Sequence, residues 1–217
     1  MLTNIKAIIY DMDGVIIDSE PLWSKAMIEG FNHIGIPFTE AKSKITTGLR
    51  FKEVIAFWFE KHNFNTLSIG EFDKMVTDRL CELIKQEGKA KKGLYESLRF
   101  FKNKGFKLGI ATSSNELLMN TVVDCLDIRN YYDALCSAQR LPYGKPHPEV
   151  FLNCATQLQI SPSNCLVIED SVNGLIAGKA AQMRVAAIPE GANKNNPKFT
   201  IADYQLNSLS ELISEPN

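Results

Sequence analysis

Asp11 and Asp13 follow directly on the apolar segment Ile5–Tyr10, in the run Asp11-Met-Asp-Gly-Val-Ile-Ile-Asp-Ser-Glu20. Carboxylates crowded at the end of a buried strand repel one another unless a cation or a proton relieves them. Far along the chain a second apolar run, Cys165–Ile168, ends on Glu169 and Asp170. In a parallel sheet those two strand ends share one edge, so Asp11, Asp13, Glu169 and Asp170 are expected to converge. An all-oxygen cluster of this kind selects Mg2+ or a similar hard cation. Taken singly, an aspartate at a strand end is more often a turn former or a helix cap, and a lone Asp-x-Asp-Gly is a weak signal. A calcium-binding loop is excluded, because Val15, Ile16 and Leu22 stand where it needs a ligand, a glycine and a glutamate. A dinucleotide loop is excluded too, since acidic residues occupy the place of the glycines.

Two further segments carry suitable groups. The stretch Gly109–Glu116 ends an apolar run with Thr112, Ser113, Ser114 and Asn115. Ser113 and Glu116 have capping-box spacing, which predicts a helix N-terminus whose free N–H groups suit an anion; simple capping accounts for the stretch equally well. In Tyr143–Phe151, Pro146 and Pro148 stiffen the chain ahead of an expected helix over Glu149–Leu158. They hold Lys145 in a rigid turn, from which it could neutralise a phosphate as a point charge. His33, His62 and His147 have no metal-ligand spacing.

The elements that must position these groups alternate. Strand-type runs at Ile5–Tyr10, Phe106–Ala111, Ala134–Cys136, Cys165–Ile168 and Arg184–Ile188, with a weak one near Asp203–Leu206, are separated by stretches of helical spacing such as Leu118, Val122 and Cys125. This predicts an α/β fold: a doubly wound, mostly parallel, Rossmann-like sheet covered by helices on both faces. Roughly ninety residues separate the first two strands, far more than the dozen or so a crossover requires. The surplus is helical, with apolar stripes at Phe51, Val54, Ile55, Trp58 and Phe59 and again at Phe72, Met75, Val76, Leu80, Leu83 and Ile84. Residues 18–90 therefore read as an all-helical cap domain inserted after strand one, and residues 1–17 with 91–217 as the catalytic core. Trp23 and Trp58 read as cap core, and Gly174 and Gly178 as sites of close helix–sheet packing. The run Lys85–Lys92 reads as a solvated linker.

Composition narrows the partners. Hydrophobic residues make up 45% and charged residues 23% of 217 residues, and the net charge of −1 leaves no electrostatic footprint for nucleic acid or an anionic membrane. The N-terminal stretch has no apolar run long enough for a signal or a span. The five cysteines are scattered without a Cys-x-x-Cys and read as small buried apolar residues in a reducing compartment. The expectation is a cytoplasmic monomer that binds neither nucleic acid nor membrane.

The order of the signals is more informative than any one of them. Asp-x-Asp-Gly after strand one, Thr after strand two, Lys-Pro next and Glu-Asp after a later strand together resemble the haloacid dehalogenase-like phosphatase superfamily. The helical insertion is similar to the small cap of one of its large subfamilies. The segments "DSEPLW", "TTGLR", "LPYGKPHPEVFLNCA" and "IEDSVNGLIAGKAAQMR" resemble the bacterial hexitol (2-deoxyglucose-6-phosphate) phosphatases. One departure, Lys92-Gly93-Leu94 in place of Pro-Gly-Val, touches only the linker.

The resemblance implies a phosphatase acting on small phosphorylated sugars or sugar alcohols. Asp11 would be the nucleophile forming an aspartyl-phosphate, and Asp13 the acid–base. Mg2+, with Mn2+ or Co2+ as substitutes, would sit on the Asp11 and Asp170 carboxylates and the Asp13 backbone carbonyl, helped by Glu169. Thr112, Ser113 and Lys145 would hold the phosphoryl oxygens, with Asn115 beside them. In the cap, Glu20, Gly48 and Arg50 would meet the sugar. The nearest alternative is an isomerase of the β-phosphoglucomutase type, which carries a histidine in the hinge where this chain has Trp23.

Overall fold

A continuous apolar run without polar alternation makes a strand buried on both faces, and Ala7–Tyr10 (β1) is one, with all four residues buried. In the computed structural model, which describes residues 2–43, 45 and 50–213, β1 lies at the centre of a six-stranded sheet. Its partners are β2 (Lys107–Thr112), β3 (Ala134–Ser137), β4 (Cys165–Glu169), β5 (Arg184–Ala187) and β6 (Tyr204–Gln205). Their order is β3-β2-β1-β4-β5-β6, and every pairing is parallel. The chain moves outward from β1 on one side and then returns to lie on the other. The crevice where strand order reverses therefore opens at the carboxyl end of β1.

Alternation along the strands serves two cores. Ile8, Tyr10, Leu166 and Ile168 face one apolar cluster, and Ala7, Ile9, Cys165 and Val167 face another. Helices α5 (Leu94–Asn103) and α6 (Glu116–Cys125) cover the first face through Leu94, Leu98, Phe101, Leu118 and Val122. Helices α7 (Glu149–Leu158) and α8 (Val172–Ala180) cover the second through Val150, Phe151, Cys154 and Leu175. The doubly wound sheet expected from the sequence is the fold.

Between β1 and α5 stand α1 (Glu20–His33), α2 (Glu40–Ser43), α3 (Phe51–Lys61) and α4 (Ile69–Glu87). Both predicted apolar stripes point inward, and they meet in an aromatic cluster: Phe31 stacks on Phe38 at 4.5 Å and lies 4.6 Å from Phe72, while Phe38 meets Trp58 edge-on at 5.2 Å. Aromatic rings bury much area per residue, and these run on into the apolar cluster that covers the first face of the sheet. Two linkers join it to the sheet and pair with each other, the Asp18 N–H donating to the Lys89 carbonyl at 3.0 Å and the Lys91 N–H to the Ile16 carbonyl at 2.9 Å.

Three expectations are corrected. The segment Lys85–Lys92 is a solvated linker only in part: Lys85, Lys89 and Lys92 are exposed, but α4 runs to Glu87, and the Lys91 side chain is only 15% exposed, pairing with Glu190 at 2.5 Å and Asp18 at 3.9 Å. Cys125 is exposed, unlike the other four cysteines: it is the last residue of α6, with its Sγ donating to the Ile84 carbonyl of α4 at 3.2 Å. The cap of α6 is Asn115, not Ser113. Asn115 Oδ1 accepts the Leu118 N–H at 2.9 Å, and the Glu116 N–H goes to Gln139 Oε1 at 2.8 Å. No described helix is long and apolar enough to cross a membrane.

Candidate active site

The strand ends deliver the acidic residues to one place. Asp11 is the first residue beyond β1, Thr112 ends β2, Glu169 ends β4 and Asp170 follows it. Asp11, Glu169 and Asp170 each bring a carboxylate oxygen within 4.8 Å of the others. Asp11 and Glu169 are buried, Glu169 completely. Gly14 lets the chain turn sharply beside them: its φ is +78°, and a Cβ there would stand 2.1 Å from Asp170 Oδ2.

Lys145 enters this cluster from the loop before α7. Its Nζ donates to Asp11 Oδ1 at 2.5 Å, Glu169 Oε1 at 2.7 Å and the Ala111 carbonyl at 2.9 Å, which uses all three ammonium protons. Glu169 is fully engaged. Its second oxygen accepts the Asp170 and Ser171 N–H groups at 3.0 Å each and the Ser171 hydroxyl at 2.9 Å. Gly174 makes room for it, since a Cβ there would fall 1.6 Å from Glu169 Oε1. The sequence-based account of Gly174 as a packing residue is thereby sharpened: the partner is a buried carboxylate. Gly174→Ala is expected to cost about 1–3 kcal/mol of stability by overpacking. Urea unfolding measures it, and an unchanged midpoint would contradict the geometry.

The electrostatics are unbalanced. Burial pushes the Asp11 carboxyl up to about 7 against the pull of Lys145, with Glu169 and Asp13 adding repulsion. Burial, then Glu169 and Asp11, drive Asp170 well above the usual carboxylate range. Burial alone would lower Lys145, but the charges on Asp11 and Glu169 overcome it and hold the ammonium protonated. With all three carboxylates ionised, one ammonium would leave two negative charges; protons on Asp11 and Asp170 relieve them, and a divalent cation would cancel them. The donor set is all oxygen and within reach of one ion, so the residues present fit a hard cation.

Asp13 faces elsewhere. Its Oδ1 accepts the Ser19 hydroxyl at 2.6 Å and the Trp23 indole N–H at 3.1 Å, and its Oδ2 accepts the Ser114 hydroxyl at 2.7 Å. Its side chain is thus held by the hinge, the first cap helix and the loop after β2, and it is not one of the three carboxylates that come together at the cluster. Trp23 packs against the cap's apolar cluster as expected, and its indole N–H adds a contact to Asp13 that the reading as cap core did not include. Ser19, Trp23 and Ser114 are the residues that sequence reasoning missed. The only signal for them was proximity in sequence, Ser19 and Trp23 near the hinge and Ser114 inside the Thr-Ser-Ser-Asn run.

The remaining expected residues divide. Thr112 is buried at the site, its Oγ1 accepting the Ser114 N–H at 3.1 Å. Ser113 is half-buried next to it. Asn115 reaches the cap, its Nδ2 donating to Thr77 Oγ1 at 3.2 Å. Arg50 is the residue preceding α3, its guanidinium on Glu53 at 2.8 Å and its stem against Gly144, one residue before Lys145. Glu20 is exposed at the start of α1. Gly48, with Thr47 and Leu49, lies outside the described residues.

Comparison with known proteins agrees with this picture. A family model described as haloacid dehalogenase-like hydrolase matches residues 5–182. The chain is 38% identical over 213 residues to hexitol phosphatase B of Escherichia coli (strain K12), covering 98% of this chain and 96% of that protein. It is 31% identical to a phosphorylated carbohydrates phosphatase of Thermotoga maritima, covering 82% of each. Among solved structures, CbbY from Rhodobacter sphaeroides in complex with phosphate superimposes with a TM-score of 0.87 at 26% identity, over 96% of both chains.

Proposed function

The chain belongs to the haloacid dehalogenase-like hydrolases, and from that membership we propose a Mg2+-dependent phosphatase of hexose and hexitol phosphates that works through an aspartyl-phosphate. The observation that carries the reading is the pairing of two aspartates with opposite surroundings. Asp11 is buried among carboxylates and Lys145, while Asp13, two residues on, is held by three hydrogen-bond donors, from the hinge, a cap helix and the loop after β2.

In this reading an Asp11 oxygen attacks phosphorus, the bond from phosphorus to the sugar oxygen breaks, and Asp13 gives that oxygen its proton. Asp13 then takes a proton from water, the water oxygen attacks phosphorus, and Asp11 leaves as a carboxylate with release of phosphate. Once Asp11 is esterified it loses its charge, so the Lys145 ammonium is free to turn to the phosphoryl oxygens. Thr112 and the Ser113 N–H complete that cradle, and Asn115 lies at its rim. When bound, Mg2+ supplies positive charge that lets an anionic phosphoryl group approach the carboxylates. The Asp11 and Asp170 carboxylates and the Asp13 backbone carbonyl would hold it. Glu169, saturated by Lys145 and three donors, fixes the geometry around it.

Residues 18–90 act as the cap over a core of 1–17 and 91–217, and Glu20, Gly48 and Arg50 are the cap groups assigned to the sugar. Closure would exclude water from the phosphoryl group. The protein is read as a cytoplasmic monomer with a small phosphorylated sugar as its partner.

Phosphate release from a panel of hexose 6-phosphates, hexitol phosphates and non-sugar esters tests the substrate class. A preference for a non-sugar ester would count against it. β-Glucose 1-phosphate converted to glucose 6-phosphate without phosphate release would instead identify an isomerase. Chelation by EDTA is expected to abolish turnover, Mg2+ to restore it with Mn2+ or Co2+ as partial substitutes, and Mg2+ to raise the thermal midpoint of the stripped protein. Full turnover after exhaustive chelation would remove the cation from the scheme.

A further inference from the structure

We propose that Trp23 is a positioning residue through which the helical cap orients the Asp13 carboxylate. The proposal rests on the phosphatase reading only for what Asp13 does; the contact itself is geometric. Trp23 lies in the first turn of α1, and its Nε1–H donates to Asp13 Oδ1 at 3.1 Å. The same oxygen takes the Ser19 hydroxyl at 2.6 Å, and Ser114 holds the other oxygen at 2.7 Å. Ser19 and Ser114 belong to the hinge and to the loop after β2. Trp23 is thus the one donor of the three supplied from a cap helix.

An indole N–H donates and never accepts, so Trp23 exchanges no proton with Asp13. What it fixes is direction. The indole ring is itself held from a second cap helix, tilted against Phe51 at 5.2 Å. Asp13 is anchored on the core side, one residue beyond Met12 in the chain that leaves β1. A hydrogen bond between groups anchored on two such units forms only while α1 is docked. The Asp13 carboxylate therefore reaches its full set of donors with the cap in place, and loses one of the two on Oδ1 when the cap lifts. A residue that must hand a proton to a leaving oxygen depends on being aimed at it, so cap position and proton transfer are coupled through this bond.

Trp23→Phe keeps a ring against Phe51 and deletes the N–H. On a hexitol phosphate, whose alkoxide must be protonated to leave, kcat/KM is expected to fall about tenfold to a hundredfold, less than the loss of a whole general acid. On p-nitrophenyl phosphate, whose phenolate leaves without a proton, kcat/KM should stay within about twofold of the parent. The thermal midpoint should also hold. An equal loss on both esters would overturn the positioning role. Asp13→Asn is measured alongside: absence of the same split there would overturn the acid–base role of Asp13, and with it the catalytic half of the proposal. The contact is judged independently by 15N–1H spectra of the two indoles, assigned with Trp58→Phe. Asp13→Ala should move the Trp23 indole proton upfield and leave Trp58 in place. An unmoved Trp23 signal would overturn the hydrogen bond whatever the kinetics show.

Discussion

Asp11→Asn is expected to lower phosphate release at least a thousandfold while the protein still folds. Losing the attacking group of a covalent enzyme costs up to about 10^6 in turnover, and the amide can accept a hydrogen bond from Lys145 but cannot attack phosphorus. The asparagine has nearly the same volume, so the packing around β1 is undisturbed. Stability gives a second readout in metal-free buffer. The folded-state value of Asp11, about 7, stands above its ordinary one of 3.8. Between those values the folded protein binds more protons than the unfolded chain, so this group's contribution to stability falls as pH rises from about 4 to about 7. The uncharged variant escapes that loss. Its thermal midpoint should match the parent in acid and equal or exceed it at neutral pH. Wild-type turnover, with deamidation excluded by mass spectrometry, would remove Asp11 as nucleophile.

Lys145→Met should damage both activity and folding. The methionine fills the same space against Phe151, over whose ring the ammonium lies at 4.6 Å, but it leaves Asp11 and the fully buried Glu169 without their cation. Removing one partner of a buried ion pair costs about 3–5 kcal/mol. Turnover should drop roughly a hundredfold to a thousandfold through the lost charge on the phosphoryl oxygens. The two effects separate on titration: acidification lets Asp11 take up a proton and should narrow the stability deficit without restoring activity. Urea unfolding at several pH values, read beside phosphate release, measures both. A variant as stable as the parent at neutral pH would mean that the buried charges are balanced by something other than Lys145.

Much of this was legible along the chain because it depends on local pattern. The unbroken apolar runs at Ala7–Tyr10 and Cys165–Ile168 can be satisfied only by strands buried on both faces. Parallel strands in turn send the residues after them to one edge, and so Asp11, Asp13, Glu169 and Asp170 could be grouped along the chain. Of these, Asp11, Glu169 and Asp170 share one cluster, while the Asp13 side chain is held by Ser19, Trp23 and Ser114. The helical stripes and the ninety-residue gap likewise announced an inserted helical unit. Where local pattern misled, a distant partner had intervened. Ser113 had the spacing of a helix cap, but Gln139 takes the Glu116 N–H and Asn115 takes the cap. Lys91 sat in a charged run and yet is mostly buried against Glu190, ninety-nine residues away.

The sequence by itself determined which strand ends present the acidic side chains, since periodicity and chain direction are properties of neighbouring residues. Only the tertiary structure decided what each carboxylate faces. Asp11 and Asp13 are two positions apart, yet one is buried beside Lys145 and the other is turned to Ser19, Trp23 and Ser114. Those surroundings come from β4, the loop before α7, the hinge and a cap helix. The charge state and aim of a carboxylate follow from burial and from the donors that reach it, and these are set by segments brought together only on folding.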